Sequence, residues 1–311
     1  MNIATAIDTR QRFRDFLRER WERLPGTVAD ANPDDDGPLL FAALCAAGLR
    51  FLQGDPGVEF VVWLDGRKIA MSPDFVPMHG DGDLQAYLGR LLGRYPQTDF
   101  TVLLANPHLY EPALWQRARQ WVRQVAGEVG MANGGVDTCT FLGCYRRTPF
   151  GVHRGQMSVL TMPVIGRKRF VLWPYNYGYA HTDLQDALEF SAHMGHAIVE
   201  EASRGDLLYW PADFWHVADA PRQPTAAWNI GFWWDRPPHA RVLGAIAETS
   251  AAAGHPVGNA PVSFDWRPGA GERALGDARD ILRRTARSGD LADALAVQWA
   301  RFASADGFRV V

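Results

Sequence analysis

The sequence predicts an α+β protein whose central region consists of β-strands. Three observations support this class: helical spacing of apolar residues before residue 137, a series of short strands with turns from Asp137 onward, and helical, Ala- and Arg-rich sequence after Pro237. We therefore expect an α/β portion over 1–136 that packs on a barrel, a β core over 137–236, and a helical segment over 237–311.

The N-terminal portion alternates helical and strand patterns. Apolar residues at i, i+3, i+4 and i+8 predict the first helix, and Pro25-Gly26 ends it. The predicted helices are 9–24, 38–52, 84–95 and 112–128. The predicted strands of this portion are 58–64 and 101–105. This mixture of elements suits a portion that packs against a sheet.

The central region has short strand-like runs that are separated by turn residues, which is typical of an all-β barrel or sandwich. The predicted strands are 138–145, 157–164, 169–173, 205–210 and 226–234. A polar, aromatic segment over 175–196 interrupts them, where a lid or a substrate-contacting loop would lie. Helices are predicted over 239–252 and 272–302.

Composition excludes several classes of function. The 311 residues are 47% hydrophobic and 22% charged with a net charge of -3, so nothing indicates a nucleic-acid partner. No apolar run approaches the roughly 18–20 residues of a membrane span, and the N-terminus is unlike a signal peptide. Three cysteines without CxxC spacing argue against a disulfide framework. We expect a cytoplasmic protein with no membrane partner.

Two histidines indicate a metal site. His153 follows the run 149–152, and His216 ends a Phe-Trp-His run after 205–211. Two histidines on neighbouring strands of a small barrel are two-thirds of the 2-His-1-carboxylate triad that binds non-haem Fe(II). That triad expects Asp or Glu two residues after the first histidine, where this chain has Gly155.

The surrounding motifs extend this pattern. Residues 141–153 read FLGCYRRTPFGVH, residues 164–174 read VIGRKRFVLWP, and 205–216 run from Gly-Asp to Trp-His. Together they resemble the JmjC (cupin-like) family of Fe(II)/2-oxoglutarate oxygenases over residues 138–235. The resemblance implies a double-stranded β-helix (jelly-roll) core, with Fe(II), 2-oxoglutarate and O₂ as cofactor and co-substrates.

Position by position, the resemblance assigns the site residues. His153 and His216 would be the metal ligands, and Lys168 would pair with the distal carboxylate of 2-oxoglutarate. Three side chains could add hydrogen bonds to the co-substrate: Thr148, Tyr145 and Asn229. The competing interpretation is that His153 is an ordinary core histidine and Lys168 a surface turn residue.

Gly155 is the departure from the family pattern. Radical halogenases of the same superfamily have Gly or Ala at this position, and chloride or bromide occupies the open coordination position. The resemblance therefore favours halogenation of an unactivated C–H bond over hydroxylation, as in secondary metabolism. Arg154 and Gln156 flank the open position and could contact substrate or hold the halide.

Other interpretations of Gly155 stay open. Gln156 could supply a neutral oxygen ligand and preserve hydroxylation. A carboxylate from elsewhere could substitute, and three are near in sequence: Asp206, Asp213 and Asp219. The chain could also be a non-catalytic cupin that binds a ligand without iron. We expect a small-molecule or peptide-type substrate, with a protein target as a further option, and a possible homodimer through the C-terminal helices.

Overall fold

The computed structural model describes residues 3–132, 134–233, 245–247, 249, 270–305 and 307–308. The chain divides into two compact units, 1–235 and 236–311, and each is described by itself. Among the helices of these described ranges, none has the length and apolar character needed to cross a membrane.

Five helices of the first unit can be assigned in the described ranges, besides short 3-10 turns. They are α1 (Ile3–Arg20), α2 (Gly37–Leu52), α3 (Leu84–Arg94), α4 (Pro112–Val129) and α5 (Tyr175–Ala180). Asp83 caps α3 by accepting a hydrogen bond from the Ala86 N–H at 2.7 Å. Glu111 caps α4 in the same way, with proline at its first position. The four helices that the sequence predicts in this unit are thus confirmed, although α1 begins earlier than expected.

The strands form two antiparallel sheets that share one long strand. They are β1 (Gly26–Val28), β2 (Phe60–Leu64), β3 (Arg67–Ile69), β4 (Phe100–Ala105), β5 (Gly135–Arg147), β6 (His153–Arg154), β7 (Met157–Ile165), β8 (Arg167–Trp173), β9 (Ile198–Ser203), β10 (Leu207–Trp210) and β11 (Trp215–Trp233). The larger sheet has the order β1-β10-β7-β11-β5-β4-β2-β3, and β11 also pairs with β6 and with β8, which is followed by β9. This is the predicted α+β architecture with a double-stranded β-helix core.

β11 is much longer than the strand that the sequence predicts over 226–234. The strand begins at Trp215, and its pairing with β5 shifts register between Asp219 and Gln223. Two prolines in this stretch made it read as a loop, because proline cannot donate to a sheet ladder. The register shift lets one strand pass from the smaller sheet to the larger, and Pro224 lies beyond it, in register with Cys144.

Alternation along β8 creates two separate apolar clusters. Phe170 and Leu172 point into one, which we call the barrel core; its other buried members are Val159, Ala202, Leu208, Trp210, Phe214 and Ala218. Val171 and Trp173 point into the other, which we call the outer core; it also contains Val152, Leu184 and Val217. Successive side chains of a strand face opposite sides, so one strand supports both clusters.

Two helices of the second unit are described, α6 (Ala270–Arg287) and α7 (Gly289–Ser304). The sequence predicts one run over 272–302, but the helix breaks at Ser288, whose hydroxyl accepts a hydrogen bond from the Asp290 N–H at 3.1 Å. The helix predicted over 239–252 lies largely outside the described residues.

The close approach of β5 to β4 requires glycine at position 143. A Cβ there would lie 2.1 Å from the Phe100 carbonyl oxygen. We expect Gly143→Ala to lower the free energy of unfolding by about 3 kcal/mol or more, because backbone atoms must move apart. The matched control is Gly89→Ala in α3, where nothing lies within 4 Å of the added Cβ; it should stabilise by roughly 0.5–1 kcal/mol. Urea denaturation measures both, and equal stability of the two variants would contradict the account.

Candidate metal and co-substrate site

A cavity of about 410 Å³ opens into the barrel. All nine site residues that the sequence predicts line it: Tyr145, Thr148, His153, Arg154, Gly155, Gln156, Lys168, His216 and Asn229. They come from four strands and the loops that flank them, and the fold brings them to one place.

The two histidines form a directly opposed pair. His153 on β6 faces His216 on β11 across the antiparallel ladder, and the ring centroids lie 4.2 Å apart. Each Nδ1 lies against a backbone carbonyl oxygen two residues earlier, at 3.1 Å for Gly151 and 3.0 Å for Phe214. A carbonyl only accepts, so each Nδ1 carries the proton and each Nε2 keeps its lone pair. The pair can therefore donate two nitrogens to one metal ion.

The surroundings keep both rings neutral. Burial lowers the pKa of His153 and lowers that of His216 strongly, and the proximity of His153 lowers the pKa of His216 further. The neutral imidazole is the form that binds a metal. Burial therefore favours the neutral form of both histidines, and the Nδ1 hydrogen bonds leave Nε2 as the nitrogen that can bind a metal.

Gly155 leaves the position beside this pair without a side chain. A Cβ on Gly155 would lie 3.3 Å from the His216 Cε1 atom, which is the carbon next to Nε2. A side chain at this position would therefore extend toward the histidine nitrogens. Its backbone is fixed, because the Gly155 carbonyl accepts a hydrogen bond from the Asp213 N–H at 2.8 Å.

The three carboxylates offered by the sequence have other partners. Asp206 accepts hydrogen bonds from the Ser203 N–H in its own turn and from the Asp30 N–H. Asp213 lies 3.6 Å from Arg154, and Asp219 lies 2.5 Å from Arg169. In the part of the chain that the structure describes, no group of three His, Cys, Asp or Glu side chains could hold a metal ion.

Arg154 and Gln156 lie at the mouth of the cavity rather than beside the histidine pair. Strand alternation sends Arg154 to the face opposite His153, where its guanidinium lies 5.3 Å from the centre of the Tyr175 ring. Gln156 is exposed at the rim. Both positions suit contact with a substrate that enters the cavity.

Lys168 is a buried cation, not a surface turn residue. Its side chain is 3% exposed on β8, and Nζ contacts the Tyr145 hydroxyl. Nζ also lies 4.8 Å from the centre of the Tyr145 ring and 5.4 Å from that of Phe141. Burial lowers the pKa of Lys168 to about 7 and raises that of Tyr145. No anion among these contacts balances the ammonium, so an anionic ligand fits this end of the cavity.

Thr148 and Asn229 already hold internal hydrogen bonds. The Thr148 hydroxyl accepts from the Ala218 N–H at 2.8 Å, and the Asn229 Oδ1 accepts from the Thr161 hydroxyl at 2.6 Å. The Asn229 amide also donates to the Cys139 carbonyl at 3.3 Å. These bonds fix the orientation of two side chains that line the cavity.

Sequence reasoning missed two polar residues of the lining. Asp137 and Cys139 share the cavity face of β5 with Tyr145, and Asp137 accepts a hydrogen bond from the Trp233 indole at 2.7 Å. The period of two along 137–145 was the signal that could have found them. Burial raises the pKa of Cys139 to about 12, so its sulfur is a thiol and not a thiolate nucleophile.

Comparison with known proteins defines the class of this fold. Residues 104–238 match the model of the JmjC domain. The chain therefore has a JmjC, cupin-like fold, as the motifs predicted. No curated protein sequence matches it.

Solved structures of YcfD, described as a ribosomal oxygenase from Escherichia coli, are similar in fold. One aligns with a TM-score of 0.51 at 16% identity over 90% of this chain and 67% of that chain. A complex of YcfD with cobalt and 2-oxoglutarate aligns with a TM-score of 0.51 at 16% identity, over 90% of this chain and 68% of that chain. A complex of YcfD with cobalt and succinic acid aligns with a TM-score of 0.52 at 17% identity, over 91% of this chain and 69% of that chain. At this identity the likeness establishes the fold alone.

Removal of the buried charge should stabilise the protein. Because the unfolded lysine keeps its usual pKa of 10.5 and the folded one has a pKa of about 7, the unfolded chain binds more protons between these values. The free energy of unfolding should therefore rise with pH from 7 to 10, by at most about 1.4 kcal/mol per unit. Lys168→Met should lose this rise and have a higher free energy of unfolding than wild type at pH 7, because it buries no charged group.

Urea denaturation at several pH values measures this effect. Arg169→Met is the matched control, because it removes a partly exposed cation from the next position of the same strand. A Lys168→Met variant that is less stable than wild type and keeps the same pH dependence would contradict the assignment of Lys168 as an uncompensated buried cation.

Proposed function

We propose that this protein is a mononuclear non-haem Fe(II) enzyme that depends on 2-oxoglutarate and oxidises a C–H bond. One observation carries the proposal: a buried lysine amine, with no carboxylate among its described contacts, shares a cavity with two imidazoles whose Nε2 lone pairs can bind a metal. A metal ion would bind the two imidazoles, and a dicarboxylate would supply the anion for Lys168.

His153 and His216 would hold the metal. Their Nδ1 hydrogen bonds fix the tautomer and the ring orientation, which raises the basicity of the nitrogens that face the ion. Iron, when bound with 2-oxoglutarate and O₂, supplies the oxidising chemistry. The protein positions the reactants and excludes water, while the metal centre provides the reactivity.

Lys168 would hold the distal carboxylate of 2-oxoglutarate. The ammonium donates to that carboxylate, and the neutral Tyr145 hydroxyl beside it provides a second donor. Binding of the dianion restores the usual preference of Lys168 for its charged form, because an opposite charge offsets the cost of burial. Phe141 and Phe170 exclude water from this end of the cavity.

The substrate would enter past Arg154 and Gln156. Most of the lining is apolar or aromatic, so the part of the substrate that reaches the metal should be an aliphatic or aromatic group. A small molecule or a peptide side chain is compatible with this volume. The proposal includes no nucleic-acid or membrane partner.

Hydroxylation is the outcome we propose. The JmjC fold and its likeness to an oxygenase favour it, with water or the co-substrate completing the metal coordination. Halogenation, with chloride or bromide beside Gly155, rests on the absence of a carboxylate at that position alone. A non-catalytic cupin would have no need of the buried Lys168, so the retained cation argues against it.

The test is turnover with the full chain, Fe(II), 2-oxoglutarate and air. We expect succinate to form, even without added substrate, and Lys168→Met to form at least about tenfold less, since a lost charge-assisted hydrogen bond costs roughly 1.5–3 kcal/mol. Arg169→Met should behave like wild type. Absence of succinate from the wild type, with or without candidate substrates, would contradict the proposal. Product mass with and without chloride distinguishes an added oxygen from an added halogen.

Gly155→Asp tests the geometry of the third coordination position. Its Cβ would lie 3.3 Å from the His216 Cε1 atom and 3.7 Å from the Met157 carbonyl oxygen, and we expect its carboxylate to reach the histidine pair. We expect Co(II) to bind about tenfold or more tightly, because a carboxylate completes the triad and offsets the charge of the ion.

The control for this variant is Gly155→Asn, which has the same shape without the charge. Calorimetry with Co(II) compares both with wild type. If Asp bound the ion no better than Asn does, position 155 would not face the metal.

A further inference from the structure

The segment 175–196 packs behind the metal site and contacts the backbone next to both histidines. It does not line the cavity in the part of the chain that the structure describes. The segment contributes buried Leu184 to the outer core. Three of its partly buried residues pack against that core: Tyr177, Phe190 and Met194. These contacts with the outer core are separate from the lid or substrate-contacting role that the sequence suggested.

One contact of this segment precedes His153. The Val152 N–H donates to the Ala187 carbonyl at 3.0 Å, and the Asp186 N–H donates to the Val152 carbonyl at 2.8 Å. Gly151 has a φ of +71°, and a Cβ there would lie 2.6 Å from the Asp186 carbonyl oxygen. The same Gly151 carbonyl accepts the hydrogen bond that orients the His153 ring. The position of 186–187 thus sets the backbone that holds this ligand.

A second contact precedes His216. Trp215 fills the space at Gly178, where a Cβ would lie 2.3 Å from the indole Cδ1 atom. Trp215 and Val217, on either side of His216, both contact the outer core. The segment therefore supports the outer face of the strand at the point where the inner face presents the second ligand.

His193 connects the parts of the segment to one another and to β8. Its Nε2 lies 3.2 Å from the Asp183 carboxylate, which can only accept, so Nδ1 accepts from the Tyr177 hydroxyl at 3.1 Å. The His193 carbonyl also accepts from the Trp173 indole at 3.0 Å. His193 as a whole residue is 8% exposed. One buried residue thus joins α5, the turn at Asp183, and β8.

We propose that His193 is a positioning residue for the metal site. It fixes the segment 175–196, which in turn holds Gly151–Val152 and Trp215 so that both imidazoles face one ion. Such support matters more here than in a complete triad, because two protein ligands leave fewer bonds to set the geometry. This inference rests on the proposed function, since it assumes that the histidine pair binds a metal.

The test is Co(II) affinity and the Co(II) absorption spectrum, each compared with the thermal stability of the metal-free protein. We expect His193→Ala to weaken Co(II) binding about 10–100-fold, as for other partners that orient metal ligands. Tyr177→Phe removes one hydroxyl from the same network with little risk to folding and should weaken binding less. His193→Gln can accept from Tyr177 and donate to Asp183, so it should restore much of the affinity.

The control is Val122→Ala, which opens a cavity in α4 at a residue that is 2% exposed. It should lower the melting temperature and leave Co(II) affinity within about twofold, because effects of well-separated sites are independent. Wild-type affinity in both His193→Ala and Tyr177→Phe would overturn the positioning role alone. A wild-type protein that binds no Co(II) would overturn the proposed function together with it. Equal weakening in Val122→Ala would also overturn the positioning role, because general instability would then explain the loss.

Discussion

The burial of a lysine amine with no carboxylate among its described contacts is the constraint on which the site depends. The described contacts of the Lys168 nitrogen are a hydroxyl and two aromatic rings, and burial lowers its pKa. A fold that kept this cation for stability would pair it with a carboxylate of its own. Here the lysine can instead pair with an anionic ligand. The protein is less stable without that ligand, which is the expected compromise between stability and function.

A single strand links this constraint to the two histidines that we propose as metal ligands. β8 carries Lys168 and Phe170 on the cavity side and Val171 and Trp173 on the outer side. The outer core holds the segment 175–196, and that segment contacts the backbone beside both histidines. The proposed binding of 2-oxoglutarate and the geometry of the histidine pair therefore both depend on β8, whose successive side chains face opposite sides.

The sequence predicted the fold class because its signals are local, and the candidate site residues were named from local motifs. Helical spacing gave α1 to α4, and the motifs around His153, Lys168 and His216 named residues that line one cavity. Long-range geometry was not predictable. The extent of β11 depends on an irregularity between two sheets, and the role of His193 depends on contacts with residues that are distant in sequence. The open position at Gly155 was visible, but its occupant depends on chemistry that the chain itself does not contain.

The measurement that tests the central claim most directly is the proton balance of 2-oxoglutarate binding. Calorimetry of the Co(II)-loaded, full-length protein at pH 8, in buffers of different ionisation enthalpy, gives this balance. Because Lys168 is mostly neutral at pH 8 when the site is free and charged when a carboxylate is bound, close to one proton should be taken up per 2-oxoglutarate. Lys168→Met should bind weakly and take up none. Tight binding without proton uptake would contradict the claim that a buried, uncompensated lysine anchors the co-substrate.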